Sequence, residues 1–330
     1  MKNKFFTLLF FCLILLIFAG CNAGLSVTRT EINLLGTFVT VRIDGMSEKS
    51  ADRALDAAFK RLNEIEQIAS AKKADSELSY VNNNAYEQSV TVSEELFFLL
   101  ENGLYYSRLT NGGFDITLGS IVELWGIGTN NARVPDLSEI AEAVENSGFE
   151  FLLLDKAELS VRFLKPGLKI DLGAIAKGYA ADEMKRVLIE HNVKNALLNL
   201  GGDIITIGDN NGKGWLIGLS DPFNPDTGKY CARLRIFNQT IVTSGNYERY
   251  FIHENTRYHH IFDRNTGFPA ENRLVSATII SDVSMSADAL STALFVNPAL
   301  ISEFPEIKYI LIDSDMNFTY SEGLELEIFK

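Results

Sequence analysis

The stretch DLGAIAKGYAADE, Asp171 to Glu183, changes its hydrophobic period part-way along. Its first residues read as the end of a strand near Asp171-Leu172-Gly173. From about Ala174 a helix is expected, because Ala176, Tyr179, Met184, Val187 and Leu188 follow with helical spacing. A helix start of this kind attracts anions through unpaired backbone N–H groups, and Lys177 adds a positive charge within the first turn. A diphosphate would be well held there. The residues alone leave open an ordinary strand-to-helix turn with a solvated lysine.

Outward from this junction the chain alternates strand-like and helix-like segments without a regular βαβ rhythm, which predicts an α+β fold. Glu31 to Ile43 carries the alternation Val39, Val41, Ile43 of a strand. Ser47 is placed to cap a helix whose apolar face carries Leu55, Phe59, Leu62 and Ile65. Ser93 opens a second helix with Leu96, Leu99 and Leu100 inward, and Pro135-Asp136 begins a third that Gly148 stops. Short strands are expected at 151–154, 168–172, 196–200, 215–219, 234–237, 274–280, 309–312 and 324–328. Gly201-Gly202-Asp203 reads as a bend between two strands, and Trp125-Gly126 as core.

Lys2 and Lys4 precede an apolar run from Phe5 to Ala19 that ends at Ala19-Gly20-Cys21. This is a charged n-region, an h-region and a small-residue cleavage site, short for a spanning helix. The cysteine after the small pair reads as a bacterial lipoprotein signal, with Phe18 where such signals usually carry leucine. Residues 1–20 are therefore expected to be removed, Cys21 to be lipidated, 21–30 to act as a tether and 31–330 to form the functional domain. The protein is then lipid-anchored and faces the periplasm or another extracytoplasmic space. Removing the leader leaves roughly 310 residues, enough to bury about three quarters of the unfolded surface in one large domain or two intimate lobes. Cys231 remains as the free thiol, so neither a disulfide framework nor a cysteine-based zinc site is available. The net charge of −13 opposes binding to nucleic acid.

Chemistry concentrates in RYHHIFDRNTGFP, Arg257 to Pro269, and ADALSTA, Ala287 to Ala293. Asp288 and Thr292 are spaced i and i+4, so a helix projects both oxygens from one face, as a hard cation such as magnesium requires. His260 would supply a general base beside that metal, with Asp263 to orient it, while His259 reads as a structural histidine. Thr243-Ser244-Gly245 resembles a nucleophile site only superficially, because no Ser-His-Asp order accompanies it.

Taken in order, GGFD (Gly112 to Asp115), DLGAIAKGYAADE, GGD (Gly201 to Asp203), TSGNYER (Thr243 to Arg249), the histidine strand and ADALSTA resemble the ApbE family of FAD:protein FMN transferases. The resemblance runs from about Leu35 to Thr292. It implies an ApbE-like α+β fold, with mixed sheets and packed helices forming two intimate lobes around a flavin site. It further implies that FAD, the substrate, contacts Leu35, Lys72, Gly113, Phe114, Asp115, Asp171, Lys177 and Phe262. Mg2+ would be held by the Ala174 carbonyl, Asp288 and Thr292, with His260 as base. The acceptor would be a threonine on a redox-complex protein, chosen through a short motif ending in alanine-threonine.

Three departures stand out. Gly113 and Ile116 replace the family's usual alanine and proline, and Asp263-Arg264-Asn265-Thr266-Gly267 lacks a turn proline with its arginine displaced by one position. Lys72 stands where many members carry a tyrosine able to cover the flavin. Loss of that lid keeps two alternatives in view: an FAD pyrophosphatase using water as acceptor, and a non-enzymatic FAD-binding lipoprotein. A generic solute-binding lipoprotein fits less well, since no two-domain hinge pattern is visible.

Overall fold

The computed structural model describes residues 26–329, so the leader, Cys21 and the start of the tether lie outside the described residues. The single strand expected over 31–43 is a hairpin, β1 (Ser26–Leu34) and β2 (Thr37–Asp44), turning through Leu35 at φ 49° and Gly36 at φ 69°. Strand β1 begins inside the stretch read as tether, because its Val27 and Ile32 pair with Ile43 and Phe38 of β2. Helix α1 (Glu48–Ala69) starts where Ser47 was expected to cap it, the Ser50 N–H donating to Ser47 Oγ, and it buries Leu55, Phe59, Leu62 and Ile65. Helix α2 (Glu77–Asn84), strand β3 (Val90–Thr91) and helix α3 (Glu94–Leu109, capped by Ser93) follow. Then come α4 (Gly119–Trp125) and α5 (Leu137–Glu145), the latter closed by a capping box between Asp136 and Glu139.

Strands β4 (Leu152–Asp155) and β5 (Ser160–Phe163) join β3 in a small sheet. After helix α6 (Ala176–Glu190) come β6 (Asn195–Leu200), β7 (Asp203–Ile207), β8 (Trp215–Ser220), β9 (Tyr230–Ile236) and β10 (Thr240–Gly245). A hairpin of β11 (Tyr250–His253) and β12 (Thr256–His259) precedes β13 (Leu274–Ser281) and helix α7 (Ser284–Val296). Strands β14 (Lys308–Asp313), β15 (Phe318–Tyr320) and β16 (Glu327–Ile328) end the chain.

An antiparallel sheet in the order β1-β2-β6-β7-β10-β13-β14-β15 is the frame. Helices α1, α6 and α7 lie on one face, where Val41, Leu198, Ile205 and Ile279 meet Leu62, Met184 and Leu294. On the other face Ile241, Ile280 and Ile310 pack against Trp215, Ile217 and Leu234 of the β16-β9-β8 sheet, with Cys231 buried among them. The strands that carry both contacts, such as β13, are apolar on both faces, whereas β2 alternates. A third cluster gathers α4, α5 and the β11–β12 hairpin around Trp125, whose indole N–H donates to the Gly267 carbonyl at 2.8 Å. Among the described residues no helix is long and apolar enough to cross a membrane.

Two expected strands differ. Leu168, Ile170 and Leu172 are buried with a period of two, yet only a single bridge, Leu118 with Lys169, pairs the run. The Asn82 side-chain amide takes the place of a neighbouring strand: it donates to the Ile170 carbonyl at 2.9 Å and accepts from the Ile170 N–H at 2.8 Å. The 324–328 run keeps only its last two residues paired, to Arg233 and Ala232 of β9. Replacing Trp125 with Ala is expected to cost about 3–5 kcal/mol in urea unfolding, the range for a fully buried aromatic; a loss below 1 kcal/mol would show that the third cluster does not hold the β11–β12 hairpin.

Candidate active site

The site forms where the first turn of α6 meets α7. At Gly178 an added Cβ would lie 2.4 Å from the Ser284 carbonyl oxygen, so only glycine permits this approach. One turn further, Asp182 accepts the Ser284 and Met285 N–H groups, both at 2.9 Å, and caps α7, whose own N-cap residue Val283 has no side chain for the task. On its far side α6 is tied down by Tyr179 bonding Glu95, and by Arg61, which pairs with both Glu95 and Glu183. Residues Asp288 and Thr292 are thereby fixed one and two turns into α7.

Lys177 reaches into this junction, 2.8 Å from Asp288 Oδ1 and 3.0 Å from Asp203 Oδ2. Burial works against its charge, but the two carboxylates outweigh it and hold the ammonium protonated far above its ordinary range. Asp203 is pushed up, first by burial, which its lysine partner only partly offsets, and further by the charge of Asp288. It arrives at the end of the β6–β7 turn, through Gly201 at φ 65° and Gly202 at φ 105°, so the bend read from sequence is also a site element. The ammonium is thus committed to two carboxylates, and does not stand free at the helix start as the diphosphate reading had it.

Helix α6 begins at Ala176, two residues later than expected. Before it, Asp171 Oδ1 accepts the Gly173 N–H at 2.7 Å, and Ala174 lies outside the helix. The Gly178 N–H, which would close the turn onto Ala174, donates instead to Asp288 Oδ2 at 3.0 Å. Among the described residues no backbone amide donates to the Ala174 carbonyl. Thr292 Oγ1 lies 3.2 Å from Ser244 Oγ, which also bonds Ser291 Oγ at 2.9 Å. Carbonyl, carboxylate and hydroxyl make an all-oxygen donor set of the kind Mg2+ takes, and the carboxylate already faces one cation, the lysine ammonium. The three expected ligands therefore fit a hard divalent ion.

His260 follows β12. Its ring Nδ1 and its own N–H both lie 3.2 Å from the Arg249 carbonyl, which leaves Nε2 as the open acceptor. Burial first, then the charge of Arg249, push the ring down to about 3, so it is neutral at physiological pH, with its Nε2 lone pair open but less basic than that of an ordinary imidazole. The orienting role expected of Asp263 falls to that carbonyl, since Asp263 Oδ1 accepts from Asn265 within its own turn. His259 is structural as expected: buried, bonded to the Ala270 carbonyl and edge-on to Phe295.

The remaining expected contacts separate into loops and core. Asp115 is wholly buried, accepts from the Thr117 N–H and hydroxyl at 2.8 and 2.6 Å, and faces Arg264 at 3.4 Å. Burial pushes its carboxyl upward. The displaced Arg264 also pairs with Glu150 and lies over the Phe149 ring, bracing the 112–115 loop. Phe114 is buried against Tyr106, Phe262 is buried beside Trp125, and Gly113 is half-buried next to Leu300. Both aromatic rings, expected to contact FAD, are core residues in this structure. Lys72 is exposed; its neighbour Lys73 pairs at 2.6 Å with buried Glu66, whose other oxygen accepts the Leu35 N–H at 2.8 Å. Sequence reasoning missed Glu66, Asp182, Glu248 and Arg249. Glu248 is exposed at its residue surface, and its carboxyl is pushed up, by desolvation first and then by the charge of Asp203. Its signal was the Thr243–Arg249 stretch, which the sequence singles out without giving Glu248 a role.

An α+β frame with an acidic, cation-holding cleft facing a neutral imidazole defines the class. Residues 35–306 match the ApbE family, and the chain belongs to it. It is 36% identical to an FAD:protein FMN transferase of Klebsiella pneumoniae, over 79% of this chain and 80% of that one. It is 35% identical to one of Treponema pallidum, over 90% and 87%. The crystal structure of an ApbE protein from Thermotoga maritima superposes with a TM-score of 0.83 at 33% identity, covering 90% of this chain and 97% of that one.

Gly178→Ala should force α6 away from α7 and destabilise the fold by about 1–3 kcal/mol, with loss of activity beyond the stability change; unaltered stability would show that the junction is slack. His259 and His260 are pushed down to about 4 and about 3, against about 6.5 unfolded. Their stabilising contribution is complete above the unfolded value and is lost as pH falls through the folded values. Glu248, raised, contributes in the opposite sense but equally in wild type and variant. Between pH 6.5 and 5 the thermal midpoint should therefore fall more steeply in the wild type than in a His259→Gln/His260→Gln variant; equal slopes would refute the neutral buried pair.

Proposed function

We propose that this protein transfers FMN from FAD to a threonine hydroxyl of an acceptor protein and releases AMP. The observation that carries the reading is the α6–α7 junction: Asp288 and Thr292 stand one turn apart beside a turn whose Ala174 carbonyl has lost its amide partner to Asp288. Its relatives' names as FAD:protein FMN transferases support the same conclusion.

Mg2+ bound by the Ala174 carbonyl, Asp288 and Thr292 would screen the negative charge of the diphosphate. The chain's own groups do the rest. The neutral His260 ring, held through Nδ1, offers Nε2 to the threonine hydroxyl and takes its proton. The freed oxygen attacks the FMN-side phosphorus, the anhydride P–O bond breaks, and AMP departs with the bridging oxygen and its electron pair. A phosphoester between FMN and threonine remains. Lys177, kept charged between two carboxylates, holds Asp288 in place against loss of its partner cation. Lipidation at Cys21 would anchor the protein outside the cytoplasm, beside acceptors belonging to membrane or extracytoplasmic redox complexes.

Water as acceptor gives a second reading, an FAD pyrophosphatase, and exposed Lys72, at the place of an aromatic lid, favours it. Mixing the chain from Asn22 with FAD, Mg2+ and a redox-complex subunit bearing an Ala-Thr motif separates the two. AMP with flavin bound to the subunit is the expected result; AMP with free FMN alone would establish the pyrophosphatase, and no AMP would overturn both. Asp288→Asn should lower the rate at least about 100-fold, as expected when a ligand of a charge-stabilising ion is lost, and undiminished activity would remove the metal assignment.

A further inference from the structure

Arg249 joins three segments that are far apart in sequence. Its main-chain carbonyl lies 3.2 Å from both the N–H and ring Nδ1 of His260. Its guanidinium donates to the Gly36 carbonyl at 3.1 Å, in the positive-φ turn between β1 and β2. Its side-chain stem passes Gly128, which stands at φ 82° and whose added Cβ would lie 3.7 Å from Arg249 Cδ. The same turn is also held by Glu66, which accepts the Leu35 N–H at 2.8 Å. With Leu35 and Gly36 both at positive φ, the turn has few conformations available, and two side chains hold it, one at its amide and one at its carbonyl.

We propose that Arg249 is a positioning residue that makes the Leu35–Gly36 turn and the His260 ring one mechanical unit. The backbone carbonyl sets the ring's tautomer and direction, and the guanidinium fixes the turn to that same residue. The inference deepens the transferase reading and rests on it for one point, that Leu35 lies against the flavin nucleotide. On that basis the latch couples seating of the nucleotide to the placing of the base. The guanidinium has a second effect on the ring. Burial lowers the ring's pKa most, and the charges of Arg249, His259 and Lys177 lower it further, Arg249 foremost of the three, so the guanidinium helps to keep the ring neutral.

The test uses Arg249→Met and Arg249→Lys in the chain from Asn22, with the His260 pKa read by NMR of the imidazole and FAD affinity read by flavin fluorescence. Both substitutions keep the backbone carbonyl. In Arg249→Met, FAD should bind about tenfold more weakly, the size of one charge-assisted hydrogen bond, and the His260 pKa should rise. Arg249→Lys retains the charge without the fork, so the His260 pKa should stay near the wild-type value while FAD affinity remains reduced. In turnover the loss should appear in KM for FAD more than in kcat. If Arg249→Met does not fold, the lysine variant decides the question by its FAD affinity. Unchanged FAD affinity and an unchanged His260 pKa, or a fall in thermal midpoint with neither shift, would overturn the proposal. A raised His260 pKa in a protein that makes no AMP from FAD would refute the transferase reading and leave Arg249's hold on the ring standing.

Discussion

The contact of Lys177 with Asp203 and Asp288 sets the terms for the rest of the molecule. Three charged groups out of water are costly, and such a cluster persists only when its members satisfy one another and the backbone around them. Here the second oxygen of Asp288 takes the Gly178 N–H, so α6, α7 and the β6–β7 turn are locked through a single set of charges. Gly178 makes the approach sterically possible, and Asp182 caps the helix that carries Asp288. A shift of either helix would strand a buried charge. That penalty gives the junction its rigidity and fixes Asp288 in place.

The other half of the cleft is held differently, by loops braced on one another. Arg264 links the 112–115 loop to the turn after His260, Glu66 links the β1–β2 turn to Lys73, and Arg249 links that turn to His260. These are hydrogen bonds and ion pairs between loops, two of which end on a buried carboxylate, Asp115 or Glu66. The titration behaviour follows the same division. His260 is kept neutral by burial and by cations, while Glu248 is biased toward its protonated form by desolvation first and then by the charge of Asp203.

Much of this was legible residue by residue. Ser47, Ser93 and Asp136 announce their helices, because a short polar side chain ahead of an apolar period has one efficient use. The i, i+4 placement of Asp288 and Thr292 and the glycine bend before Asp203 were equally plain. Leu168–Leu172 misled, because period two reports alternate burial and not the presence of a neighbouring strand; Asn82, 88 residues away from Ile170, supplies the missing bonds. Lys177 misled for a related reason. A lysine in a helix's first turn resembles an anion ligand unless the two carboxylates that claim it are known.

Local order, the capped helix starts at Ser47, Ser93 and Asp136, the α+β class and the i, i+4 spacing of Asp288 and Thr292 were thus legible in the sequence alone, since caps, periods and turns act over a few residues. Tertiary structure decided which cation sits on Asp288, which carbonyl orients His260, and that Arg249 and Glu66 hold one turn. Those choices depend on pairs such as Gly36 with Arg249 and Lys177 with Asp288. Their partners are more than a hundred residues apart, and only packing of the sheet against its helices brings them within hydrogen-bonding distance.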